Sequence, residues 1–176
     1  MGQIDRRLRA QLGCTGGTLH RSIAPISRYR FVGVGRCEST DPDVTAAQLP
    51  AVTASRFPAH TGLYEVVSCT ERLTSSRSDV VLINFFEVGP VDDRQFIGGW
   101  ERANEYLRRR PGYLSTRLHR SVRPGVAFRF VNIARWSSPE SFLSAIGDPG
   151  FRAAADLSYP AHPGIYTVTA SPAISF

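Results

Sequence analysis

Apolar positions along the chain follow two periods. "DVVLINFFEV" (79–88) is a nearly unbroken run of β-branched and aromatic residues, which predicts a buried strand. "VDDRQFIGGWERANEYLRRR" (91–110) changes the period: Phe96, Trp100, Ala103 and Leu107 recur at helical spacing. Acids lead this stretch, bases close it and "PG" stops it, so it reads as an amphipathic helix. "GYLSTRLHRSV" (112–122) and "VAFRFVNIARW" (126–136) flank a Pro-Gly turn and predict a hairpin. "SSPESFLSAI" (137–146) opens with a good helix start, and "DPGFRAAADL" adds a second helical turn. "GIYTVTA" (164–170) is a last strand. The order βαββαβ is that of a split-βαβ, ferredoxin-like unit of the α+β class.

Half of this pattern has already appeared once upstream. Residues 13–36 align without gaps on 112–135, an offset of 99, and ten of the 24 positions are identical. "LHRS" stands at 19–22 and again at 118–121. "PAHTGLYEV" (58–66) returns as "PAHPGIYTV" (160–168), now at an offset of 102. Two collinear echoes make the chain a tandem duplication. Residues 1–68 form a truncated first repeat, 69–78 a Ser-rich linker, 79–171 a complete second repeat and 172–176 a tail. The first copy begins in mid-helix with "QIDRRLRAQL" and lacks its first strand. A sheet short of one strand has an exposed edge, so self-association or capture of the tail "SPAISF" is expected.

Composition narrows the class. The chain has 176 residues, 42% hydrophobic and 20% charged, and no apolar run long enough to span a bilayer. With no signal-peptide pattern at its start, it reads as a cytoplasmic protein without a membrane partner. Cys14, Cys37 and Cys69 are odd in number and widely spaced, which argues against a disulfide framework or a zinc site. The net charge of +6 comes almost wholly from scattered arginines. The one run, Arg108–Arg110, stands where a helix ends and complements its dipole. It therefore argues for a helix terminus rather than a nucleic-acid patch. No dinucleotide, P-loop, zincin or nucleophile-elbow motif is present.

The second repeat resembles the antibiotic biosynthesis monooxygenase superfamily, whose members are dimeric α+β barrels. The resemblance rests on the strand–helix–"PGYLS"–hairpin order, "VNIARWSSPESF" and "DPGFRAAA". It implies that the two repeats pack their sheets into a barrel within one chain. It also implies an oxygenase acting with O2 on a polycyclic aromatic polyketide, by oxidation of an anthrone or hydroquinone to a quinone, or by ring cleavage. The quinone-forming relatives carry an Asn, a Trp four residues later and an aromatic beyond; Asn132, Trp136 and Phe142 stand at these places, with Phe142 replacing a tyrosine. His119 falls at a strand histidine of the same relatives, and Arg152 is the nearest counterpart of a late arginine. Catalytic candidates are thus Asn132, Trp136 and His119, with no metal ligands.

Alternation puts Phe128, Phe130, Asn132, Ala134 and Trp136 on one strand face and Arg129, Val131, Ile133 and Arg135 on the other. By the resemblance, the first face is the barrel interior and the second packs on helices. The first repeat keeps the second face and replaces the first with Tyr29, Phe31, Gly33, Gly35 and Cys37. One working site per chain follows, with Phe128, Phe130, Phe142, Arg152, Tyr29 and Phe31 as substrate-binding candidates. No bound cofactor is implied; O2 is the co-substrate, and a diffusible reduced flavin stays open as another. A homodimer is the implied assembly. The alternative reading is a non-catalytic ligand-binding or assembly partner. Haem degradation, which other members perform with a late-helix histidine, is disfavoured because "FRAAADLSY" has none.

Overall fold

The structure, a computed structural model, describes residues 14–24, 27–37, 60–71, 80–155 and 158–170. Strands β1 (Cys14–Ser22), β2 (Phe31–Cys37) and β3 (Tyr64–Glu71) come from the first repeat. The second contributes β4 (Val80–Phe86), α1 (Asp93–Leu107), β5 (Tyr113–Ser121), β6 (Phe130–Trp136), α2 (Pro139–Gly147), α3 (Pro149–Ala154) and β7 (Ala161–Ala170). The βαββαβ order is as the pattern predicts. β7 begins three residues before "GIYTVTA", and β3 runs to Glu71, into the stretch read as linker. The initial helical stretch, most of the linker and the tail lie outside the described residues.

Local chemistry sets the second repeat's boundaries. Ser138 caps α2 by accepting from the Ser141 amide at 3.2 Å, with Pro139 at the first helical position. Asp148 caps α3 through the Gly150 amide at 2.7 Å. Gly112 takes φ +81 after the first helix; a Cβ there would lie 2.4 Å from that of Ser141. The Arg108–Arg110 run is spent at the helix end: Arg108 and Arg109 pair with Glu105, and Arg110 lies 3.9 Å from the Tyr106 ring centroid.

The seven strands of the described residues form one antiparallel sheet in the order β2-β1-β7-β4-β6-β5-β3. The duplication is visible in its register. His20 opposes Val32 and Leu19 opposes Gly33, as His119 opposes Val131 and Leu118 opposes Asn132. The repeats join reciprocally, the fourth strand of each beside the second of the other: β3 on β5 and β7 on β1. The sheet curls, because Val32 near one edge and Tyr64 at the other both pack on Val81, Ile83, Val131 and Tyr166 of its centre. The concave interior is therefore shared by both repeats.

This geometry reverses the expected faces. Val131 and Ile133 point into the shared interior. Trp136 and Ala134 pack on Phe142 and Ala145 of α2, and Phe130 packs on Phe96 of α1. The face retained in both copies is the interior, because each repeat must complement the other there. The face that diverged is the outer one, where each repeat meets its own surroundings. Alternation also breaks before β6. Phe128 lies outside the strand and packs on Tyr29, Phe85, His60 and His162, on the opposite side from Phe130.

The duplicated histidines are interior fixtures. Nδ1 of His119 donates to the Val131 carbonyl at 3.1 Å, and Nδ1 of His20 donates to Val32 at 3.2 Å. Burial lowers both pKa values below the ordinary 6.5, outweighing the carbonyl bonds that raise them. The unfolded chain binds these protons at a higher pH than the folded chain, so their contribution is full above 6.5 and is lost as pH falls through the folded values. Thermal melts between pH 7.5 and 5 should show the wild type losing more stability than His20→Gln/His119→Gln, which keeps an N–H donor without a titrating ring. Parallel losses would assign the acid sensitivity elsewhere.

Candidate active site

Asn132 sits on the outer, helix-covered face, between two apolar clusters. On one side lie Trp136, Ala134, Tyr113, Leu82 and Phe142; on the other lie Phe96, Leu118 and Phe130. Asn132 is 8% exposed and its Oδ1 accepts from the Thr116 hydroxyl at 2.7 Å. That bond fixes the amide's orientation and turns its NH2 end away from Thr116. Asn84 stands directly opposite in the β4–β6 register and so shares the face. Its Oδ1 is buried without a hydrogen-bond partner among the described residues. Two carboxamides thus form a polar seam across an otherwise apolar layer. Such groups are costly to bury unless something polar meets them.

Trp136 closes one end of the seam. It is fully buried, edge-on to Tyr113 (centroids 5.5 Å) and to Phe142 (5.6 Å). Burial pushes the Tyr113 hydroxyl up to about 12, and it donates to Asn104 Oδ1 of α1 at 3.1 Å. Phe130 stacks on Phe96 at 4.4 Å at the other end. The arrangement sets amide groups beside flat aromatic side chains between sheet and helices.

The structure brings Asn132, Trp136, Phe130 and Phe142 to one face. His119 is on the opposite face, since its register partner Val131 points to the interior, so it cannot serve the same site. Tyr29 and Phe128 belong to an aromatic cluster at one end of that interior. Phe31 is 52% exposed on β2, with three strands between it and β6, and Arg152 is exposed on α3. These placements separate the expected substrate-binding set into four. Asn84 was missed; its signal was a lone polar residue within the apolar run "VVLINFF".

Residues 79–157 match the family model described as antibiotic biosynthesis monooxygenase. A protein of Shewanella loihica PV-4 with a proposed monooxygenase activity is 33% identical over 52% of this chain and 94% of its own, with a TM-score of 0.48. An anthrone oxidase-like protein is 13% identical, over 97% of this chain and 86% of its own, at a TM-score of 0.61. A haem-degrading enzyme from Listeria monocytogenes is 17% identical, over 96% of this chain and 95% of its own, at 0.57. At such identities the last two speak for the fold alone. No curated protein matches the chain. Through its second repeat, the chain belongs to the antibiotic biosynthesis monooxygenase family.

Proposed function

We propose that the chain is an oxygenase that uses O2 to convert a polycyclic anthrone or hydroquinone into a quinone, with the Asn84–Asn132 seam as its oxyanion site. The observation that carries this reading is the seam itself, a pair of amides set between apolar clusters and next to a buried tryptophan. For an anthrone, loss of a methylene proton to solvent gives a carbanion whose charge rests on the ring oxygen. Asn132 donates an amide N–H to that oxygen, so the charge is stabilised as it develops. Electrons pass from the carbanion to O2, a C–O bond forms, and the peroxide takes up a proton. Loss of the second C–H proton and of hydroxide leaves the ketone, so substrate and O2 give quinone and water.

No residue of the outer face needs to change oxidation state in this sequence. The protein orients the ring and supplies donors. His119 is given no role, because it faces the interior. Oxygen uptake with an anthrone in air, without added flavin or metal, tests the reading. One O2 consumed per quinone formed, at a rate proportional to protein, is the expected result. Substrate binding with no uptake, either alone or with reduced flavin supplied, would favour the ligand-binding alternative.

A further inference from the structure

Four outer-face positions of the β5–β6 hairpin differ in kind from their counterparts upstream. Tyr113, Thr116, Asn132 and Trp136 align, at the offset of 99, with Cys14, Gly17, Gly33 and Cys37. The backbone does not register the difference. Tyr113 opposes Trp136 as Cys14 opposes Cys37, and Thr116 opposes Ala134 as Gly17 opposes Gly35. The hairpin therefore forms without these four side chains, and what they add belongs to the second repeat's site.

Their hydrogen bonds lead out of the second repeat. The Tyr113 hydroxyl donates to Asn104 Oδ1 of α1 at 3.1 Å, and Asn104 Nδ2 donates to the Thr70 hydroxyl, also at 3.1 Å. Thr70 is half-buried on β3, an edge strand that the first repeat contributes. It stands directly opposite Thr116 in the β3–β5 register, so the two threonines share a face. With both ends engaged, the Asn104 amide is held in one plane between helix and strand. Burial pushes the Tyr113 phenol up to about 12, and the Thr70 hydroxyl opposes that rise. Tyr113 in turn meets the Trp136 ring edge-on, with centroids 5.5 Å apart.

We propose that Thr70 is a positioning residue for the site: through Asn104 and Tyr113, the first repeat fixes the Trp136 ring beside the Asn132 amide. The role rests on the reading of Asn132 as the oxyanion donor. Thr70 touches no reacting atom. Without its hydroxyl, Asn104 loses one of its two anchors and Tyr113 is held by a looser partner. Trp136 closes one end of the seam, so a ring free to rock lets the substrate's oxygen drift from the amide. The degenerate copy thus serves the working one: it carries no matching site but supplies a strand that holds its neighbour's in place.

Thr70→Val keeps the shape and drops the hydroxyl, and Thr70→Ser restores it. Both are compared with wild type in anthrone oxidation by the full chain. Thr70→Val should lower kcat about 10-fold with KM unchanged, and Thr70→Ser should recover the rate. A second readout needs no turnover. The chain has two tryptophans, so in a Trp100→Phe background Trp136 alone emits. Its anisotropy decay should gain a fast component in Thr70→Val and lose it again in Thr70→Ser. If Thr70→Val does not fold, Asn104→Leu breaks the same chain from the helix and decides. A wild-type kcat in Thr70→Val beside a slow Asn132→Ala overturns the positioning role and leaves the oxyanion site standing. Equal losses in the valine and serine variants overturn it too, because packing and not the hydroxyl is then at work. Wild-type rates in Asn132→Ala, or no turnover by any form, count against the oxyanion reading instead. In that case the anisotropy decides alone, and an unchanged decay in Thr70→Val shows that Thr70 does not hold the ring.

Discussion

Asn132→Ala should slow turnover by about 10²-fold while leaving substrate binding little changed. The argument runs from geometry to kinetics. Asn132 is buried, and its Oδ1 is committed to the Thr116 hydroxyl. Its amide hydrogens are the end left to meet a ligand. A donor aimed at an oxygen that is neutral in the substrate and charged in the transition state strengthens only as reaction proceeds, so its removal lowers kcat more than it raises KM. Thr116→Val should give a smaller loss, because it frees the amide to rotate but leaves it in place. Trp136→Phe separates two roles for the indole: packing against Tyr113 and Phe142 survives, whereas N–H donation does not. The readout is single-turnover quinone formation beside circular dichroism of each variant. Wild-type rates in folded Asn132→Ala would remove the seam from the chemistry.

The sequence carried the architecture further than the site. Strand and helix order followed from the change of period between "VVLINFF" and the helix carrying Phe96, Trp100 and Leu107. Duplication followed from "LHRS" and "PAH", and the matched registers of the two hairpins bear it out. What alternation cannot supply is the absolute sense of a face. It groups Asn132 with Trp136, but whether that face meets helices or another sheet depends on tertiary packing. Retention of Arg30, Val32, Val34 and Arg36 in both copies looked like the mark of helix packing. For Val32, and for Val131 and Ile133 in the second copy, it is the mark of an interior that two repeats share, whereas Arg30 and Arg36 are exposed and Arg129 pairs with Asp93 of α1. His119 entered the candidate set through the resemblance, and its register with Val131 puts it on the interior face. In both copies the histidine holds a neighbouring strand carbonyl, a bond that serves the hairpin. Phe128 failed for a local reason: the chain turns between it and β6, so its parity carries no information about the strand.

Gly164→Ala should lower stability by about 3 kcal/mol, the range of overpacking a closed core. The duplicated "PAH-x-G-x-Y" motif explains why. In both copies the tyrosine ring folds back over the glycine two residues before it. An added Cβ at Gly164 would stand 2.6 Å from the Tyr166 ring, and at Gly62 it would stand 2.6 Å from that of Tyr64. The rings cannot simply swing away, because each is a latch between repeats. Tyr166 donates to the Tyr29 carbonyl at 3.1 Å, and Tyr64 donates to that of Phe128, the equivalent position, also at 3.1 Å. Tyr64 and Tyr166 thus tie each repeat to the other's strand entrance. Burial holds both phenols above their ordinary pKa, Tyr64 at about 12, so they remain donors across the neutral range. The copies differ in freedom to yield. Tyr166 is 1% exposed inside the central cluster, whereas Tyr64 is half-buried at the sheet edge. Gly62→Ala should therefore cost less, and Tyr166→Phe, which loses one hydrogen bond and no volume, about 1 kcal/mol. For a chain of this size, Gly164→Ala corresponds to a fall of roughly 6–12 °C in Tm. Melting curves that rank the three variants otherwise, or show Gly164→Ala unchanged, would mean that the ring is free to leave the glycine and does not bind the two repeats together.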